Sequence, residues 1–333
     1  MLVLGIETSC DETSISVASE EKGILSNVVV SSLHFHKKYG GVVPEIACRH
    51  HTELINFVLD KALKKAKVSL SDLDAISVTQ GPGLIGALLV GISLAKSLSY
   101  SLNIPLIPVN HLHAHIYAAT INKKVCNFPA IGLIVSGGHT SLVCVKNIYD
   151  IKLLGQTRDD ACGEAFDKVA KILGLGFPGG PVIEQLAEKG DSKKIDFPRT
   201  YLEKNSYDFS FSGIKTAVLY YVQKIKKANK RLLINDICAS FQQAMFDMLL
   251  KKTRCCCENN NAKTLLVGGG VSASKKLQNL LDELGKELDM DVLFPPEGLS
   301  MDNGAMIAAL GVELYKKKKF GSFDFSAKSN LNF

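Results

Sequence analysis

The chain reads as an α/β protein of two lobes, each built on a unit of three strands and a helix (βββα). The order strand, polar turn, strand, strand, helix occurs twice, opened once by Gly5-Ile-Glu-Thr-Ser9 and again by Val135-Ser-Gly-Gly-His139. Glycine-rich turns follow predicted strands at Gly81-Pro-Gly83, Ser136-Gly-Gly138, Pro178-Gly-Gly180 and Gly268-Gly-Gly270. A length of 333 residues exceeds one small core and suits two domains of ordinary size.

Met1 to Ile6 is a short apolar run that predicts a strand, ended by the polar turn Glu7-Thr-Ser-Cys-Asp-Glu-Thr13. Ser14 to Ser19 is a second strand, and Ile24 to Ser31 a third after the turn Glu20-Glu-Lys-Gly23. Leu33 to Pro44 is a loop. Glu45 to Lys67 has helical spacing of Ile46, Leu54, Val58 and Leu63. A strand at Asp74 to Thr79 runs through the turn Gln80-Gly-Pro-Gly83 into a helix ending at Leu102. That stretch, Leu84 to Leu102, is the longest apolar one, but Lys96 and its serines and glycines make it a buried helix, not a membrane span. Leu106 to Val109 is a short strand leading to a histidine-rich helix.

Pro129 to Val135, Ser141 to Val145 and Ile151 to Gln156 repeat the three strands, and Asp160 to Leu173 the helix. Mostly helical sequence from Gly180 to Cys257 decorates the second lobe as an insertion. Lys263 to Val267 is a strand entering Gly268-Gly-Gly-Val-Ser272 and a helix from Ser274. The pattern divides the chain into a first lobe at 1–110, a second at 111–302, a terminal helix at 303–320 packing back on the first, and a tail at 321–333. A duplicated βββα unit with a polar turn between its first two strands resembles the actin-like, sugar-kinase-like (ASKHA) superfamily, whose members hold a nucleotide between two similar lobes.

Composition excludes disorder: 46% of residues are hydrophobic and 22% charged. Nine cysteines without C-x-x-C spacing or a secretory segment predict reduced thiols and a cytoplasmic protein. Adjacent helical cysteines point different ways, so Cys255-Cys256-Cys257 reads as burial or surface chance and not as a metal site. The net charge of +6 is a mild bias. Lysines cluster at Lys224 to Arg231 and Lys316 to Lys319, where they either attract a polyanion such as RNA or form solvated helix faces and ends.

His111 and His115 stand four residues apart in Asn110-His-Leu-His-Ala-His115. On a helix both imidazoles share a face, roughly 40° apart around the axis, a geometry suited to one divalent metal. His113 points away. The plain alternative is a helix start with surface histidines. Acids lie at Asp11 and Glu12 in the first hairpin turn, at Glu164 and Asp167 on one helix face, and at Asp302 before the terminal helix. Asp302 reads either as that helix's N-cap or as an oxygen ligand completing a His-His-Asp site. Spacing alone does not choose. The glycine turns offer free N–H groups to an anion, although none is a Walker A loop or a dinucleotide G-x-G-x-x-G.

Nine ordered segments carry a closer resemblance: Gly5-Ile-Glu-Thr-Ser-Cys-Asp-Glu12, Tyr39-Gly-Gly-Val-Val-Pro-Glu45, Gly81-Pro-Gly-Leu-Ile-Gly86, His111-Leu-His-Ala-His115, Val135-Ser-Gly-Gly-His-Thr140, Gly163-Glu-Ala-Phe-Asp-Lys168, Phe177-Pro-Gly-Gly-Pro181, Phe209-Ser-Phe-Ser-Gly213 and Asp302-Asn-Gly-Ala305. The chain resembles the bacterial tRNA N6-adenosine threonylcarbamoyltransferases (TsaD family), formerly described as O-sialoglycoprotein endopeptidases. The resemblance implies a metal, iron or zinc, on His111, His115 and Asp302. It implies that Ile134, Val135, Ser136, Gly137, Gly138, Asp167, Gly180, Glu184 and Ser274 bind threonylcarbamoyl-AMP. Ser274 stands where the family usually has Asn; it keeps an oxygen but is shorter.

The implied reaction moves the threonylcarbamoyl group to N6 of adenosine 37 in tRNAs reading codons that begin with A. A carboxylate should take the amine proton, Asp11 first and Glu12 second, with His139 assisting. The resemblance further implies tRNA, a paralogous actin-like subunit lacking the metal site, and a small P-loop ATPase as partners. The helices Glu45 to Lys67 and Leu84 to Leu102 are the natural contact surfaces. One alternative is a metal-dependent peptidase, which would want a glutamate where Leu112 stands. Another is an actin-like ATP-binding module or kinase with no need of the histidine pair.

Overall fold

The computed structural model describes residues 1–122, 126–203 and 206–333. They fall into two units, Met1–Lys124 with Pro295–Phe333, and Val125–Phe294. The first contains β1 (Leu2–Glu7), β2 (Glu12–Ser19), β3 (Gly23–Ser31), the short α1 (Leu33–His36), α2 (Pro44–Ala66), β4 (Ala75–Gly81), α3 (Ile85–Leu102), β5 (Leu106–Asn110) and α4 (His111–Ala118). The second contains β6 (Ala130–Val135), β7 (Thr140–Asn147), β8 (Asp150–Gln156), α5 (Cys162–Leu173), α6 (Gly179–Ala187), α7 (Ser212–Lys227), α8 (Ile234–Asn259), β9 (Thr264–Gly268), α9 (Lys275–Glu287) and β10 (Asp291–Leu293). The chain then returns to the first unit with α10 (Gly304–Lys316).

The two sheets share one plan. In the first, order β3-β2-β1-β4-β5, β1 to β3 are antiparallel and β4 and β5 run parallel to β1. In the second, order β10-β9-β6-β7-β8, β6 to β8 are antiparallel and β9 and β10 run parallel to β6. The duplication therefore extends to a fourth and a fifth strand. β10 escaped the sequence reading because three residues, Asp-Val-Leu, show no alternation to detect.

Helices cover both faces of the first sheet, which is why β1 is apolar without alternating. Leu4, Ile6, Val17 and Val78 pack with Ile55, Val58 and Leu88 of α2 and α3, while Val3, Ile107 and Val109 pack with Ala114 of α4 and Ile307 and Leu310 of α10. α10 crosses β1 so closely that a Cβ on Gly5 would meet Gly304 O at 2.5 Å and Ala308 Cα at 2.7 Å. Although α3 is long and apolar enough to cross a membrane, it packs here on β4 and α2.

The expected division at residue 110 differs from the one observed. The repeat pattern sets a boundary at the end of β5, yet α4 continues directly from β5 and shares a core with α10, so residues 111–124 and 295–302 belong to the first unit. The tail after α10 is also bound to that unit. Gly321 N donates to Leu106 O, Lys96 Nζ to Phe325 O and Lys328 N to Gln80 O. In the second unit, helices α5 to α9 bury one face of the sheet, Cys256 and Cys257 lie in that core, and all nine cysteines are unpaired. The expected helical stretch is interrupted. Residues 188–203 and 206–211 form an irregular crossing held by polar side chains, with Arg199 paired to Asp247 at 3.0 Å and the buried Ser240 hydroxyl accepting from Ile195 N.

Candidate active site

β1, β4 and β5 are parallel neighbours, so their C-terminal ends share one edge of the first sheet. β5 ends at Asn110, whose Oδ1 accepts from Leu112 N at 2.9 Å and so caps α4. His111 thus opens α4 and His115 follows one turn later, with ring centroids 4.6 Å apart. Asp302 is not the N-cap of α10. That place belongs to Asn303, whose Oδ1 accepts from Met306 N at 3.0 Å, leaving Asp302 to face the histidines. Asp302 Oδ1 lies 3.0 Å from His115 Nε2 and 3.5 Å from His111 Nε2, and the three ligand atoms lie within 4.8 Å of one another. The pairing that spacing left open is closed by the fold.

The surroundings suit a cation. Glu7 is fully buried beneath His111 and Asp11 and Glu12 are nearly so, which gathers more carboxyls than the imidazoles can neutralise. Burial pulls the His111 pKa down, but Asp302 and Glu7 outweigh it and raise it to about 9. Without a metal this ring therefore carries a proton where the acids call for positive charge. His113 is different: burial pushes its pKa down to about 4, and its ring stacks on Phe333 at 5.7 Å. Leu112 is buried, with no acid between the two histidines.

Glu12 is the first residue of β2, not a turn residue, and accepts from Ser31 Oγ at 3.2 Å. Burial, then Asp302 and Asp11, push its pKa up to about 10, so in the metal-free protein it holds its proton at neutral pH. Between about 4.5 and 10 the unfolded chain releases this proton while the folded chain keeps it, so stability falls as pH rises through that window. Glu12→Gln has no proton to lose. Chelator-treated Glu12→Gln should match wild type near pH 4.5 and exceed it by ~3 kcal/mol at pH 7, as read by denaturant unfolding. Equal curves at pH 7 would show that Glu12 is ionised.

Three of the four glycine turns lie in the second unit, and two of them, 136–138 and 268–270, meet. Gly269, in a left-handed conformation at φ 90°, lies so close to the 135–136 peptide that a Cβ would meet Val135 O at 2.5 Å. α5 abuts the same turn, where a Cβ on Gly163 would meet Ser136 O at 2.8 Å. Ile134 and Val135 are buried strand residues, while Gly137, Gly138 and Gly180 have open space where a side chain would be. Asp167 accepts from Gly179 N at 2.6 Å, and burial raises its pKa to about 6. On the same helix Glu164, paired to Lys168 at 2.8 Å, closes the start of α5 by accepting from Ala161 N. Glu184 on α6 accepts from Ser274 Oγ at 2.7 Å and from Lys276 N at 3.2 Å. Ser274 also caps α9, so its hydroxyl proton goes to Glu184. His139 sits in the β6–β7 turn, its backbone N donating to Ser136 Oγ.

The fourth turn, Gly81-Pro-Gly83, belongs to the first unit and is covered by the tail, Gly83 N donating to Ser329 O at 3.2 Å. It offers no free phosphate loop. The sequence reading also passed over Glu7, taken only as the residue that ends an apolar run. Its signal was present: an acid directly after a strand buried on both faces has no solvent to enter.

These features define an α/β protein of the actin-like, sugar-kinase-like class carrying a His-His-Asp group in its first unit. Solved structures of that class are similar at low identity and show the fold alone. The ROK hexokinase of Thermus thermophilus matches at TM-score 0.51 and 14% identity over 96% of this chain and 99% of its own. Component A of (R)-2-hydroxyglutaryl-CoA dehydratase from Acidaminococcus fermentans matches at TM-score 0.54 and 15% identity, over 96% of this chain and 98% of its own. A model of the family described as tRNA N6-adenosine threonylcarbamoyltransferase (TsaD) matches residues 23–309. Relatives of that name are 52% identical in Thermosipho africanus, over 99% of each chain, and 46% identical in Bacillus subtilis, over 99% of this chain and 95% of the relative. The chain belongs to this family.

Proposed function

We propose that the protein transfers the threonylcarbamoyl group of threonylcarbamoyl-AMP to N6 of adenosine 37 in tRNAs reading codons that begin with A. The observation that carries this reading is the meeting of His111 Nε2, His115 Nε2 and Asp302 Oδ1 in a chain of this family. Two imidazoles and a carboxylate with open positions fit iron(II) or zinc, which when bound supplies Lewis acidity worth several kcal/mol.

The remaining work falls to side chains and backbone. An exocyclic adenine amine is a weak nucleophile because its lone pair is delocalised into the ring, so its proton must leave as attack proceeds. Asp11 takes that proton, with Glu12 the second candidate. The leaving AMP phosphate gains charge that the N–H groups of the 136–138 and 268–270 turns stabilise. Glu184 and Asp167 orient the adenylate, Ser274 acting through Glu184. His139 assists from its turn.

The cytoplasm, where tRNA and reduced thiols occur together, is the compartment that suits this reading. Lys224, Lys226, Lys227, Lys230 and Arg231 are exposed and suit tRNA phosphates. Phe57, Ile85 and Leu89, exposed on α2 and α3, suit a paralogous subunit, with the P-loop ATPase completing the assembly. A peptidase is disfavoured by the buried Leu112 where a glutamate is needed. The test is transfer of radiolabelled threonine, supplied as threonylcarbamoyl-AMP, to a tRNA transcript carrying adenosine 37, with both partner proteins present. Label should enter that transcript and not a counterpart carrying guanosine at the same position. Absence of label from both, or chelator-sensitive peptide hydrolysis instead, would overturn the reading.

A further inference from the structure

We infer that Glu7 is a positioning residue that locks His111 in the tautomer protonated on Nδ1, presetting Nε2 as a ligand. This rests on His111, His115 and Asp302 being the metal ligands. Glu7 is the last residue of β1 and has no exposed surface. Its Oε2 lies 3.1 Å from His111 Nδ1 and accepts from Thr79 Oγ1 at 2.6 Å, while Oε1 accepts from Ser9 N at 2.5 Å. Ser9 Oγ also reaches Nδ1, at 3.3 Å.

The sheet explains why these groups meet. Ile6 pairs with Val78, so the next residues, Glu7 and Thr79, lie side by side where the parallel strands end, and β5 delivers His111 to the same edge. A carboxylate is an acceptor only, so the ring nitrogen facing it must carry a hydrogen. In the neutral ring, the form that ligates a metal, the opposite nitrogen, Nε2, then keeps its lone pair and points toward Asp302. Glu7 faces the side of the ring turned away from the ligand group and is not itself a ligand.

His115 supplies the contrast. Its Nε2 faces Asp302, but its buried Nδ1 has no hydrogen-bond partner among the described residues. One imidazole of the pair is therefore held by an acid anchored at two further points, Thr79 Oγ1 and Ser9 N, and the other only by helix and packing. Carboxylate partners of metal-bound histidines characteristically raise ligand basicity and fix the ring.

Full-length wild type, Glu7→Gln, Thr79→Val and His111→Ala/His115→Ala are to be compared by zinc titration against a competing chelator, well below the unfolding temperature. Glu7→Gln should bind zinc 10- to 100-fold more weakly with unchanged circular dichroism. Thr79→Val, which removes one of the two donors on Oε2, should weaken binding roughly threefold to tenfold. Nitrogen-15 spectra of the metal-free proteins, taken with the ring neutral, should show Nδ1–H on His111 in wild type and loss of that single tautomer in Glu7→Gln. Zinc affinity and tautomer unchanged in Glu7→Gln would overturn the inference. If the double histidine variant also binds as wild type does, the ligand assignment itself fails, which is a different result.

Discussion

Replacing His111 and His115 together by alanine should strip the proposed divalent ion and abolish threonine transfer to tRNA. The two Nε2 atoms are the only nitrogens in the group that includes Asp302 Oδ1, and one carboxylate does not hold iron or zinc alone. Losing Lewis-acid help of several kcal/mol lowers kcat/KM by at least about 10³-fold. The fold should survive, because α4 is anchored by Leu112, Ala114, Ile116 and Ala118, all buried, and by the Asn110 cap. Glu7 loses an imidazole but retains Thr79 Oγ1 and Ser9 N as donors. His115→Ala alone, which leaves the Glu7–His111 pair in place, is the milder control and should already empty the site. Elemental analysis, calorimetry and labelled-threonine transfer read the three quantities separately. Full transfer by a metal-free double variant would remove the metal from the mechanism.

Asp11→Asn should lower transfer by about 10²- to 10⁴-fold while metal content stays at the wild-type level. Asparagine keeps the size and one acceptor of the side chain but takes no proton. Asp11 sits in the turn after β1, its carbonyl accepting from Ser32 N and Ser32 Oγ at 2.9 Å each, so the backbone is held independently of the side chain. Glu12→Gln, at the second candidate base, should lose far less. Single-turnover rates with saturating tRNA and donor isolate the chemical step. A fully active Asp11→Asn beside an inactive Glu12→Gln would exchange the two roles.

What was legible before any coordinates were local patterns. The six-residue apolar run of β1, the periodicity of α2, the helical step between His111 and His115 and the glycines after β6 and β9 are each decided within a few residues. The repeat of strand and turn implied two similar units, and both sheets follow one plan. Short or interrupted elements were lost: β10 has three residues, and the crossing at 188–203 and 206–211 is tied to α8 by Arg199 with Asp247 and by Ile195 N with Ser240.

The site shows the same limit. Asp302 lies 187 residues from His115, and its reading as a helix cap was sound until Asn303 was seen to fill that place. Glu7 lies 104 residues from His111, joined to it only because β1, β4 and β5 end together. The sequence by itself determined the helical spacing of the histidines, the turns and the duplicated unit, because those depend on backbone geometry over one or two turns of chain. Tertiary structure alone decided which acid meets the imidazoles, which carboxyl keeps its proton and which glycine turn the tail covers, because strand order and burial set distances and solvation between residues far apart in sequence.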